Sequence, residues 1–376
     1  MTDSDLLYSD VEESLRSSVS DLLAKRADPA AVLARVESDQ PYDLDLWHTL
    51  TAQLGVAGLL VPEKWGGAGA SAREVAVVAE ELGRSVAPVP FLGSAVLATT
   101  ALLAADTGQE RVTDLLASLA EGDVTAALAV RLACAPGGAF PDGVRADADG
   151  RLTGEVGTVA DAAVAQVLVV PAIGPDGPGL YAVSVGDGVT VTPLTALDRT
   201  RGIADVTLDG ATGELLAGPA LAPAALDAAL TAGAGLLAAE QLGVAQWCLD
   251  STVRYVKERY QFGRPVGSFQ ALKHRLADVW LELVMARAAS RHAADALARA
   301  DDDVPVAVAV AAAHCSAVAV HAAEEAIQLH GGIGMTWEHP AHLYLKRAKS
   351  DEIALGTPGR HRARLAGLVD LPGPVA

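Results

Sequence analysis

Two clusters in the chain carry residue types able to grip a ligand. The first is Glu258-Arg259-Tyr260-Gln261-Phe262-Gly263-Arg264-Pro265. It closes a long helical pattern and is followed by Phe269-Gln270 and Lys273-His274. Arg259 beside a turn can offer a forked donor to a phosphate. Phe262 can stack on a planar ring, and Gln270 can bond an adenine or flavin edge. A surface arginine on a capped turn is the plainer reading of the same residues. The second cluster is Gln328-Leu329-His330-Gly331-Gly332-Ile333-Gly334-Met335-Thr336. Its glycines let a backbone approach a ligand closely. It lacks the Lys-Ser/Thr of a Walker loop, and it follows a helix rather than a strand, so it is no dinucleotide fingerprint. The Gly66–Gly69 turn fails the same tests and reads as a plain loop. His339 and His342 flank Pro340 with no third ligand in view, so no metal site is expected.

The elements that must position these clusters follow from composition and periodicity. The chain has 376 residues, 51% hydrophobic but only 4% aromatic, with alanine supplying much of the rest. Alanine is the best helix former, so helices should dominate. A net charge of −19 lacks the basic footprint of nucleic-acid binding. Cys134, Cys248 and Cys315 form no C-x-x-C pair and read as free thiols of a reducing, cytoplasmic compartment. The acidic Met1–Asp10 segment is no signal peptide. The apolar stretch Val304–Ala323 is long enough for a membrane span, yet it holds His314, Ser316 and His321 and reads as a buried bundle helix.

Along the chain, residues 1–123 read as a helical domain, with helices over Val11–Leu23, Asp45–Leu54, Ala72–Leu82, Leu92–Ala105 and Val112–Leu119. Residues 124–218 read as a β-domain. Short runs at Val124–Val130, Val164–Val170, Leu180–Val185, Val189–Leu194 and Ile203–Leu208, punctuated by Gly, Pro and Asp, suggest an antiparallel barrel or sandwich. Residues 219–376 are helical again, over Ala224–Gln261, Phe269–Ala298, Val304–Leu329 and Ala341–Ala366, the last interrupted near Gly356–Gly359. Long helices with short links predict a four-helix bundle.

The pair R-x-Q-F-G-x-P-x-x-x-F-Q-x-x-K-H and Q-x-H-G-G-x-G-x-T-x-E, in this order, resembles the acyl-CoA dehydrogenase family. Leu59-Leu60-Val61-Pro62-Glu63, Ala79-Glu80-Glu81-Leu82-Gly83-Arg84, Ala238-Ala239-Glu240-Gln241-Leu242-Gly243 and Asp198-Arg199-Thr200-Arg201 are similar to further segments of it. The resemblance spans nearly the whole chain and is weakest in the middle. It implies a mainly α fold with a central antiparallel β-barrel between an N-terminal helical domain and a C-terminal four-helix bundle, usually in a tetramer. It also implies FAD, an acyl-CoA substrate and α,β-dehydrogenation. In that family a carboxylate takes the α-proton and the flavin takes the β-hydrogen. One subunit holds the flavin ring and its neighbour holds the adenosine and pyrophosphate end. By resemblance the cofactor contacts fall on Arg259, Phe262, Gln270, Gln328, Leu329, His330, Gly331, Gly332 and Thr357.

The chain departs from the family where chemistry should occur. The run A-K-x₅-E-G-T, which carries the base, reads here Ala348-Lys349, five residues, then Leu355-Gly356-Thr357. The alternative base position on the earlier helix is Gly233. Leucine and glycine accept no proton. Glu240, two helical turns beyond Gly233 and roughly 10 Å along the axis, is the weak candidate for a relocated base. The stretches T-E-P…G-S-D and K-x-W-I-T, which wrap the flavin ring in relatives, are missing around Ala129–Phe140 and Gly157–Asp161. The asymmetry resembles the base-lacking subunit of heteromeric α₂β₂ acyl-CoA dehydrogenases, which are associated with bulky thioesters such as steroid side chains. An electron-transferring flavoprotein is the implied acceptor. The alternatives are a self-sufficient homotetramer using Glu240, and a non-catalytic acyl-CoA-binding homologue.

Overall fold

The computed structural model describes residues 6–300 and 302–372; the opening half of the acidic N-terminal segment lies outside them. Local signals fix the first helices. α1 (Asp10–Arg26) begins at a capping box between Ser9 and Glu12. α2 (Pro29–Glu37) starts on the Asp28 cap with proline in its first turn. α3 (Leu44–Leu54) ends at Gly55 in the left-handed region, and α4 (Ala72–Ser85) repeats the capping box with Ser71 and Glu74. The next expected helix differs. Phe91–Ala98 is a π-helix, entirely buried, and the Thr99 N–H and Oγ1 both donate to the Ser94 carbonyl five residues back. A single α-turn, α5 (Thr99–Leu103), and then α6 (Glu110–Glu121) complete the helical part.

The middle of the chain closes on itself. β1 (Ala126–Leu128), β2 (Val144–Ala146), β3 (Arg151–Ala160), β4 (Val167–Gly174), β5 (Gly177–Ser184), β6 (Val189–Pro193) and β7 (Ile203–Ala217) form one sheet. The order β4-β2-β3-β7-β5 returns to β4 through the β4–β5 pairing, which makes a small barrel. Most pairs are antiparallel as expected, but β1–β4 and β2–β4 are parallel. Leu152, Leu168, Val170, Val183, Val206 and Leu208 fill the interior.

The remaining helices are α7 (Ala222–Glu258), α8 (Gln270–Arg299), α9 (Val304–His330), α10 (Ala341–Ile353) and α11 (Pro358–Leu368). α7 and α9 each contain an apolar window long enough to cross a membrane, but 72% of each window is buried inside the fold. α7 also packs against α4, joining the two helical regions into one core. The crossing is close because of two glycines. A Cβ on Gly83 would lie 2.0 Å from the Glu240 carbonyl oxygen, and one on Gly243 would lie 1.9 Å from that of Glu80. Alanine at either position would drive the helices apart.

Candidate functional site

The two glycine- and arginine-bearing clusters meet at one end of the bundle. α7 stops at Glu258, and Arg259 starts a hairpin in which Tyr260–Gln261 (β8) pairs with Arg264–Pro265 (β9). Phe262 and Gly263 form its two-residue turn with φ of 54° and 73°, the positive angles such a turn demands. Phe262 is 90% exposed, with its ring edge toward Phe269 at 6.1 Å. Arg264 lies over the Phe269 ring at 3.9 Å. Arg259 and Gln270 are exposed.

The second cluster joins through ring contacts. His330, at the end of α9, stacks at 4.5 Å on Tyr255 in the last turn of α7 and at 4.0 Å on His339. Its Nδ1 bonds the Ala326 carbonyl at 2.6 Å. Burial pushes His330 below the usual imidazole range. Burial, with His330 and His342 beside it, takes His339 down to about 4. Gln328, Gly331 and Gly332 are exposed, and Leu329 is buried. Gly331 has φ 65°, and a Cβ at either glycine would meet nothing within 4 Å. Between Arg254 and Arg275 the sequence carries six basic residues against one acidic, in a chain of charge −19. This end of the bundle is therefore an open, locally cationic surface with accessible backbone, suited to a diphosphate and a flat ring.

Thr357 lies elsewhere, as the exposed N-cap of α11, where its Oγ1 accepts from the Arg360 N–H at 3.3 Å. Its partner Arg360 lines a cleft of about 700 Å³ whose wall also includes Arg131, Cys134, Glu155, Gly157 and Thr158. This cleft lies where the flavin-ring segments of the β-domain would be expected. Its lining offers no tryptophan.

The two expected base positions, 122 residues apart, are one contact. A Cβ on Gly233 would fall 2.9 Å from Leu355 Cδ1 and 2.5 Å from Leu97 Cδ2. Leu355 has 0% exposure. Its backbone sits at φ 53°, and its N–H donates to the Leu132 carbonyl at 2.7 Å. A β-carbon makes this region costly, so the loop is held by its surroundings.

Glu240, two turns farther along α7, lies in a buried ionic cluster. Its Oε1 accepts from Arg347 Nη1 at 2.5 Å and from Arg201 Nη2. Arg201 also donates from Nε and Nη2 to Asp351 Oδ1 at 3.3 and 3.1 Å. Arg347 Nε reaches Asp198 Oδ2 at 2.9 Å and Thr200 Oγ1 at 3.0 Å. Asp161 links the cluster to the N-terminal region, accepting from Tyr42 Oη at 3.0 Å and from the Gly93 N–H at 2.8 Å. Burial opposes charge on Glu240, but Arg201 and Arg347 outweigh it and hold its carboxyl down at about 2. A carboxylate so committed is a poor proton acceptor. Asp351 moves the other way, well above the usual carboxylate range, through burial and the charge of Glu240. Glu352 is turned away toward Lys349 at 3.6 Å. Sequence reasoning singled out Glu240, set Asp351 and Glu352 aside because helical spacing turns them from position 355, and missed Arg347, Asp161 and Leu97. The run Asp198–Arg201 carried a signal, two buried charges of opposite sign in a loop after a strand.

Residues 9–123 match the family model described as acyl-CoA dehydrogenase, N-terminal domain, and residues 223–368 match that of the C-terminal domain. Acyl-CoA dehydrogenase IpdE2 of Mycobacterium tuberculosis is 38% identical over 351 residues, covering 93% of this chain and 95% of the relative. The chain belongs to the acyl-CoA dehydrogenase family. Among solved acyl-CoA dehydrogenases it is similar to a variant of the Tcur3481–Tcur3483 steroid ACAD, at 32% identity and TM-score 0.85, covering 96% of this chain and 98% of the other. It is also similar to a chain of the ChsE4–ChsE5 complex from M. tuberculosis, at 29% identity and TM-score 0.87, covering 99% and 100%.

Proposed function

We propose that this chain is the cofactor-clasping, base-lacking subunit of a heteromeric FAD-dependent acyl-CoA dehydrogenase. A homologous partner carries the base and the flavin-ring pocket. The substrate is a bulky CoA thioester of lipid or steroid breakdown, and an electron-transferring flavoprotein in the cytoplasm is the acceptor. One observation carries the reading: both base positions are spent on an apolar contact, while the residues suited to a nucleotide tail stay exposed. The similarity to two-chain acyl-CoA dehydrogenases, one of them a steroid enzyme, supports it.

FAD, when bound, accepts the hydrogen that leaves the β-carbon. This chain's residues supply binding and orientation. The Arg259 guanidinium offers forked donors to the diphosphate. Phe262 and Gln270 present a ring face and an amide to the adenosine end. Gln328 and the exposed Gly331–Gly332 backbone line its approach, with Leu329 and His330 anchoring that stretch in the core. Thr357 belongs to the other end, beside this chain's own cleft. Orientation of this kind contributes to rate through positioning rather than proton transfer.

The self-sufficient reading would need Glu240 to take a proton from substrate, against two guanidinium groups that hold it ionised. The test is co-purification with a homologous chain that carries the A-K-x₅-E-G-T glutamate. Flavin should appear at one per two chains and dehydrogenation only in the pair. Full flavin and turnover in the lone chain would overturn the proposal.

A further inference from the structure

We propose that Leu97, Gly233 and Leu355 form a plug that seals the place where this chain's own acyl chemistry would occur, so that a base cannot be restored there by one substitution. The inference rests on the reading above and gives it a physical cause. Loss of a catalytic carboxylate alone would leave a vacated pocket. Here the space is occupied from two sides. The π-helix Phe91–Ala98 brings Leu97 against the Gly233 backbone, within 2.5 Å of where a Cβ would stand. π-Turns insert an extra residue into a helical turn and recur at functional sites. Leu355 closes the other side from a left-handed backbone that the Leu132 carbonyl pins. The buried Arg201–Glu240–Arg347 cluster, farther along α7, ties the β-domain, α7 and α10 together. A side chain on Gly233 would have to displace the Leu97 and Leu355 methyl groups, and Leu355 itself is fully buried.

A pocket and a plug respond oppositely to a restored glutamate. In the plug, Leu355→Glu places a carboxylate in a fully buried apolar contact. The thermal midpoint should fall by about 5 °C or more, and no second flavin should be gained in the complex. Gly233→Ala should also lower the midpoint, and by less in a Leu97→Ala background than in wild type, because that background lacks the clashing atoms. Leu355→Met, similar in volume and apolar, should change little. Unchanged midpoints in both Leu355→Glu and Gly233→Ala would show an open pocket and overturn the plug. So would a gain of a second flavin in Leu355→Glu, or a Gly233→Ala loss of equal size in the wild-type and Leu97→Ala backgrounds. The subunit reading fails separately, if the lone wild-type chain binds flavin fully and turns over.

Discussion

The two ends of this chain's site have been treated in opposite ways. At the clasp, Arg259, Phe262, Gln270 and the Gly331–Gly332 backbone stand in solvent with few neighbours. In the chamber, Leu97, Gly233, Leu355 and a net of ion pairs leave little solvent access. A residue kept for a ligand remains free to meet it, whereas a residue released from catalysis becomes available to packing. The exposed end should thus report on cofactor with little effect on stability. The sealed end should report on stability.

The largest expected effect is Arg347→Ala. It strips Glu240 and Asp198 of a shared partner inside the fold. Breaking a buried pair from one side costs about 3–5 kcal/mol, which urea denaturation would read as a lower midpoint at unchanged slope. A loss below about 1 kcal/mol would mean that the cluster is solvated and that the contrast with the clasp is false. Arg259→Ala should do the reverse. Its stability should stay within about 0.5 kcal/mol of wild type. Losing a charge-assisted hydrogen bond of about 1.5–3 kcal/mol should weaken FAD retention in the two-chain complex roughly 10- to 100-fold. Flavin fluorescence during dialysis separates the two outcomes.

Proton linkage sharpens the same contrast. Glu240 titrates at about 2 in the folded chain, below its ordinary value of 4.5. Its contribution is therefore present above pH 4.5 and lost as pH falls toward 2. Asp351 is raised, so its contribution is present at low pH and lost as pH climbs through that elevated value. The two together give a stability maximum on the acid side of neutrality for the chamber. Asp351→Asn keeps an acceptor for Arg201 and removes the titration, so the midpoint-against-pH curve should lose its decline on the alkaline side. An unchanged decline would assign it to other groups. At the clasp, His339 is depressed to about 4 from 6.5. The folded chain there binds protons less readily than the unfolded one, so stability falls as pH drops from 6.5 to 4. Trp247, Tyr255 and Tyr344, which surround these rings, give a fluorescence signal for it.

The fold was legible because helix caps, apolar periodicity and the two motif clusters are local in the sequence. Ser71 and Glu74 announce α4 within four residues. β3 was missed because Gly154 and Gly157 break its apolar run, and its register comes from β7 rather than from its own pattern. The π-helix was missed because Phe91–Ala98 is apolar on every side and carries no period to read. At the site, Leu355 and Gly233 were each recognisable by position, but their contact was not. It depends on Leu97, on the Leu132 carbonyl and on a left-handed backbone, all set by tertiary packing. Glu240 read as a possible base because its two arginines are distant in sequence, at 201 and 347.

The smallest effect is the most specific one. Phe262 holds φ 54° at the hairpin tip with its ring in water. A left-handed backbone costs a β-substituted residue about 1–2 kcal/mol, and asparagine tolerates it better. Packing gives no reason to keep phenylalanine, since among the described residues its one ring neighbour is Phe269, at an edge contact. Phe262→Asn should therefore leave the thermal midpoint unchanged or slightly raised while FAD retention in the complex falls a few-fold. A structural role predicts the opposite pairing, a lower midpoint with retention intact. If both quantities stay at wild-type values, the ring serves neither the fold nor the cofactor, and the exposed end loses one of the contacts proposed for the nucleotide.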